Sequence, residues 1–121
     1  MSNGATHHAA ELSFIAAADG GNVAEMINAS NSALRDMSLA VVELPPGKAR
    51  PHLHNQTEEI YYILAGAGFI HLDQTCCSVG PGDAVSIPMG CVHALENRGD
   101  STLRYLAISA PGFNPADMQF D

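Results

Sequence analysis

The sequence predicts an all-β domain, either a sandwich or a barrel. Three observations carry that prediction. Short β-prone runs recur at close spacing, clusters of Gly, Pro, Asn and Asp separate them, and helical periodicity is scarce. A chain of 121 residues suits a single domain with one core, so residues 1–121 are expected to fold as one unit. Hydrophobic residues at 46% against charged residues at 15% favour compact packing over disorder.

In chain order, Leu12–Ala16 and Val23–Ala29 read as N-terminal strands around the turn Asp19-Gly20-Gly21-Asn22. Ser32–Met37 is expected to make a short helical turn. Ser38–Leu44 is a strand ended by Pro45-Pro46-Gly47, where proline cannot donate to a ladder. Lys48–His54 follows, then Glu59–Ala65, which Gly66-Ala67-Gly68 breaks. Phe69–Leu72 and Thr75–Val79 form a hairpin around Asp73-Gln74. After the turn Gly80-Pro81-Gly82-Asp83 come Ala84–Ile87, Val92–Asn97 and Thr102–Ser109, the last two separated by Arg98-Gly99-Asp100-Ser101. The barrel proper therefore spans residues 38–109. The tail, 110–121, is expected to lie across the exterior, pinned by Phe113, Met118 and Phe120.

Thirteen acidic against five basic residues give a formal net charge of −8, which makes nucleic acid and anionic membranes poor partners. No apolar run approaches the ~20 residues needed to span a bilayer. Met1–Glu11 lacks the basic start and apolar stretch of a signal peptide, so the expected location is the cytoplasm. Three cysteines, Cys76, Cys77 and Cys91, make no disulfide framework and match no zinc spacing. They are expected to be buried or half-buried thiols.

The chemistry concentrates in His52-Leu53-His54, Glu59 and His93. Side chains alternate along a strand, so His52 and His54 share a face. With a carboxylate and a third imidazole, these residue types suit a divalent transition metal. His7, His8 and His71 stand apart from this set; the first two belong to the N-terminus and His71 to a strand surface.

Two segments carry a resemblance. The first runs Gly47, His52, His54, Glu59, Gly66; the second runs Gly82, Pro88, Gly90, His93, Asn97. Together they resemble the two motifs of the cupin superfamily. The second matches at every defined position, and the first differs by one residue in the loop before His52. The resemblance implies an antiparallel jelly-roll barrel of the double-stranded β-helix type. It implies His52, His54, Glu59 and His93 as ligands of one divalent ion: Fe, Mn, Ni, Zn or Co. Glu58 competes with Glu59, but the interval to Gly66 selects Glu59, which places Tyr61 and Ile63 on the inner face. Single-domain cupins commonly pair, so a homodimer involving the N-terminal strands is expected.

Three imidazoles and one carboxylate leave two positions open on a six-coordinate ion, the mark of a reactive site. With Fe(II) such a site activates O2; with Zn, Mn or Ni it polarises a carbonyl or enolate. The expected function is a metal-dependent enzyme acting on a small chelating molecule that carries a carboxylate, carbonyl or enol. A dioxygenase and a non-redox isomerase, lyase or cyclase are both open. The rival is a non-catalytic module that binds or senses a small ligand. Arg50, two residues before His52, either anchors a substrate carboxylate or sits at the rim paired to an acid. Tyr61 is either a catalytic acid or base or a core residue. Met89 and Cys91 are candidates for the pocket mouth, and Cys91 is a weak candidate nucleophile, since no motif histidine is free to activate it.

Overall fold

The structure, a computed structural model, describes residues 3–121. Its strands are β1 (Ile15–Ala16), β2 (Asn22–Ile27), β3 (Ser38–Leu44), β4 (Gly47–Lys48), β5 (His52–His54) and β6 (Glu58–Ala65). They continue with β7 (Gly68–Leu72), β8 (Thr75–Val79), β9 (Ala84–Ile87), β10 (His93–Asn97), β11 (Leu103–Ala110) and β12 (Met118–Phe120). One sheet runs β1-β2-β3-β11-β6-β9; the other runs β12-β5-β10-β7-β8, with β4 also on β10. Every pairing is antiparallel. The result is a jelly-roll β-sandwich, as expected.

Strand alternation decides what enters the core. On β6, Glu59, Tyr61 and Ile63 are buried, while Glu58, Ile60, Tyr62 and Leu64 are exposed. Ile63 and Leu103 are fully buried and Leu95 nearly so, at the centre of the space between the sheets. Each contributes about 1.5–3 kcal/mol relative to an exposed side chain. At the end of β6, Gly66 adopts φ +81°, and an added Cβ would stand 2.7 Å from the Thr102 carbonyl oxygen. Only glycine fits that turn. Asn97 closes the last turn: its amide donates to Leu44 O at 2.9 Å and Ser101 O at 2.8 Å, and its Oδ1 accepts from Gly99 N at 3.0 Å.

The structure corrects several expectations. The strand expected over Lys48–His54 is two strands, because Pro51 has no N–H to extend the ladder. The backbone N–H of Ala49 and Arg50 turn instead to Leu95 O and Asp19 O. Only Ile15–Ala16 of the first expected strand pairs; Ala9–Glu11 is a short 3-10 turn. No helix forms over Ser32–Met37. There, side chains compete for the backbone: Asn28 Oδ1 accepts from Ser30 N at 2.9 Å and the Ser32 hydroxyl donates to Asn28 O. Cys76 and Cys77 are exposed, because β8 is a sheet edge, and only Cys91 is buried. The tail stays largely exposed but is more than a strap pinned to the outside, because it joins the sheet and its apolar side chains line the interior cavity. It forms a 3-10 turn at Pro115–Asp117 and then β12, which pairs with β5.

Candidate metal centre

His52 and His54 sit on β5, with His93 on β10 directly opposite His52 in register. The three imidazole rings gather inside the sandwich, with centroids 4.3 Å apart for His52–His93, 5.1 Å for His52–His54 and 5.6 Å for His54–His93. Glu59 reaches them from β6 in the facing sheet. Its Oε1 lies 3.0 Å from His54 Nε2 and 3.2 Å from His93 Nε2. One donor atom from each of the four residues lies within 4.8 Å of the others, and all four residues are buried.

Neighbouring groups fix which atoms face inward. His52 Nδ1 is 3.1 Å from Arg50 O and His93 Nδ1 is 2.9 Å from Cys91 O. A carbonyl oxygen only accepts, so each Nδ1 carries the proton and each Nε2 presents a lone pair. Glu59 Oε2 accepts from the Ser109 hydroxyl at 3.1 Å. Glu59 Oε1 and His93 Nε2 are buried without a hydrogen-bond partner. Acceptor atoms converging in this way repel one another unless a cation stands between them. Donors at adjacent positions around an ion bound at about 2.1 Å stand about 3 Å apart, close to the spacing seen at Glu59 Oε1. The cluster fits a divalent metal site.

Electrostatics follow from burial and from this crowding. In metal-free protein, burial raises the Glu59 carboxyl, but hydrogen bonding and charge from His54 and His93 outweigh it and bring the pKa down to about 2. The lone-pair arrangement around an ion would not supply those contacts. For His54, burial pulls downward and the Glu59 carboxylate pushes upward, with a net rise. His52 is lowered, by burial first and then by His93. Asp19, which the sequence did not single out, places Oδ2 3.7 Å from His52 Nδ1. Burial raises its pKa, partly offset by His52.

Beside the cluster, between the sheets, is a cavity of about 330 Å³. Its walls include Ile15, Val23, Val42, Phe113, Met118 and Phe120, and its polar groups include Asp19, Glu25, Tyr61 and Tyr105. The Tyr61 ring stands 5.7 Å from His93 and 4.8 Å from Tyr105. Burial first, then the Glu59 charge, holds the Tyr61 hydroxyl well above its ordinary pKa, and so protonated. The tail is fastened by Asp117, whose carboxylate accepts from the backbone N–H of Asn55, Gln56 and Thr57 at 3.0–3.1 Å.

The site thus brings together His52, His54, Glu59, His93 and Tyr61, as the sequence led us to expect. Arg50 is the departure. The break at Ala49–Pro51 turns its side chain outward, and its guanidinium lies 3.9 Å from the centroid of Phe120, off the cavity wall. Met89 is exposed and Cys91 packs into the core; neither lines the cavity. His71 pairs with Glu96 at 2.8 Å on the strand surface, as expected. Among the described residues, no helix is long and apolar enough to cross a membrane.

Comparison with known proteins agrees with this architecture. A sequence profile of the Cupin domain matches residues 40–109. An uncharacterized protein of Methanocaldococcus jannaschii is 35% identical over 102 residues, covering 84% of this chain and 82% of the relative. An oxalate-binding protein of Thermotoga maritima is 37% identical over 70 residues, covering 57% of this chain and 58% of that protein. The crystal structure of a predicted oxalate decarboxylase of Thermotoga maritima superposes with a TM-score of 0.77 at 27% identity, over 88% of this chain and 99% of that one. With the fold, the motif residues and the profile in agreement, the chain belongs to the cupin family.

Proposed function

We propose that this chain is a metal-dependent enzyme in which His52, His54, Glu59 and His93 hold one divalent transition ion. The observation that carries the reading is the pair of buried, partnerless acceptors, Glu59 Oε1 and His93 Nε2, aimed at one point. When bound, the ion would polarise an oxygen of a small chelating substrate, or activate O2 if it is Fe(II). The residues of the chain then have separable tasks. Arg50 O and Cys91 O hold His52 and His93 in one tautomer. Ser109 orients the carboxylate. Tyr61, on the cavity wall beside His93, is the hydroxyl placed to hold or deliver a proton to bound substrate. The apolar walls exclude water.

The test is elemental analysis of protein purified without added metal, followed by O2 uptake with the native ion restored. We expect about one ion per chain, lost on His93→Ala, and a rise in melting temperature when ion is added to stripped protein. Protein that neither retains nor takes up an ion contradicts the reading. O2 consumption then separates a dioxygenase from an isomerase, lyase or cyclase.

The same proposal includes a homodimer. Ile60, Tyr62 and Leu64 stand outward on β6, 40–47% exposed, beside Leu106 and Ile108 of β11, and β1 is an open edge. A monomer mass at micromolar concentration by light scattering contradicts it.

A further inference from the structure

The cavity beside the cluster has a one-sided polarity. Its lining contains three carboxyl groups, Asp19, Glu25 and Glu59, and neither lysine nor arginine. All five basic side chains of the chain lie elsewhere. Arg35 and Lys48 are exposed, Arg50 stacks on Phe120, Arg98 pairs with Glu96 at 3.0 Å, and Arg104 stands in register with Glu43 on the β11–β3 pair, outside the cavity lining. The remainder of the wall is mostly alkyl and aromatic, with the neutral polar groups of His52, His54, Ser38, Ser109, Tyr61 and Tyr105 among it.

Three neutral imidazoles, Glu59 and a divalent ion sum to one positive charge, which favours an anion. Asp19, 3.7 Å from His52, and Glu25 at the wall work against that charge on the substrate side. A carboxylate entering the cavity meets carboxyl oxygens with no guanidinium or ammonium to pair with. A hydroxyl or ammonium end meets acceptors.

We infer that the cavity selects a neutral or cationic, mostly apolar small molecule, whose hydroxyl or amine end faces Asp19 and Glu25, and that it discriminates against carboxylates. This rests on the metal-dependent reading for the placement of the ligand, and it departs from the carboxylate-bearing substrate expected while Arg50 was a candidate anchor. It also separates this chain from its relative named for oxalate binding. Asp19 is the specificity-determining residue. The volume of about 330 Å³ lies at the small end of ligand pockets, which suits a molecule of about one ring with a short arm.

The test is calorimetric titration of both as-purified and zinc-supplemented protein with four probes: 2-phenylethylamine, 2-phenylethanol, phenylacetate and oxalate. The first three share an apolar body and differ in the charge at its end. We expect the amine and the alcohol to bind about tenfold tighter than phenylacetate, and oxalate to bind weakest. Asp19→Asn, which keeps the shape and removes the charge, should narrow the amine-to-phenylacetate ratio by about tenfold. Phenylacetate or oxalate binding tighter than the amine overturns the inference. So does failure of both amine and alcohol to bind at millimolar concentration, or an unchanged ratio in a folded Asp19→Asn. Elemental analysis of the same samples distinguishes the two readings. Protein without an ion that keeps the expected order of probes loses only the metal-dependent reading; protein with the ion and a reversed order loses only this one.

Discussion

Ser109 and Glu59 are register partners across the β11–β6 pair, and the Ser109 hydroxyl donates to Glu59 Oε2 at 3.1 Å. That bond occupies one carboxylate oxygen and leaves Oε1 to face the imidazoles. Ser109→Ala frees the carboxylate to rotate and leaves a buried charged acceptor unpaired, at about 1–3 kcal/mol. Metal affinity should fall about 10- to 100-fold, as is usual when the group behind a ligand is removed. Competition with a chromophoric chelator measures it, and an unchanged affinity refutes the orienting role.

Asp117 ties the tail to the loop between β5 and β6 through three backbone N–H groups. Asp117→Ala leaves those donors without their acceptor and should cost about 2–3 kcal/mol. The unfolding midpoint in urea should drop accordingly. Asp117→Asn, which keeps one acceptor oxygen, should lose less. Equal losses in the two variants would show that the carboxylate's acceptors are not the source of stability.

The pH dependence of metal-free protein follows from Glu59. Its folded pKa is depressed from an ordinary 4.5 to about 2, so its contribution is complete above pH 4.5 and is lost as the pH falls toward 2. The magnitude is of order 3 kcal/mol, since one unit is about 1.4 kcal/mol. The stability difference between wild type and Glu59→Gln should therefore shrink across that window. A difference that stays constant from pH 5 to pH 2.5 contradicts the assignment.

Gly66 predicts a purely structural effect. Gly66→Ala forces a side chain into φ +81° and against the Thr102 carbonyl, and should destabilise by about 1–3 kcal/mol. Because the turn lies away from the cluster, the folded fraction should bind metal with wild-type affinity. Loss of affinity in that fraction would mean that the turn positions the ligands after all.

Local pattern revealed the ligand set because both sources of information were local. Period-two alternation put His52 with His54 and Glu59 with Tyr61, and the intervals to Gly66 and Gly90 fixed which residues mattered. The same parity along Leu103, Tyr105, Ala107 and Ser109 would have found the serine behind Glu59. Arg50 has two readings, anchor or rim, because alternation cannot be carried through Pro51; the exposed side chain stacks on Phe120 at the rim. Asp117 and Asp19 carry no such signal, since their partners lie 60–62 and 33 residues away in the chain and meet them only after folding. The tail misled for a related reason. Phe113, Met118 and Phe120 announce burial, but nothing in their order says which surface receives them.

β12 does two jobs at once. Met118 and Phe120 pair with His54 and His52 in register while their side chains wall the chamber. Under the proposed function, ligand preference and ion retention are therefore mechanically linked. Redesigning the closing segment to admit a bulkier guest would then also loosen the histidine cluster proposed to hold the ion, unless a compensating change restores the backbone ladder beneath it.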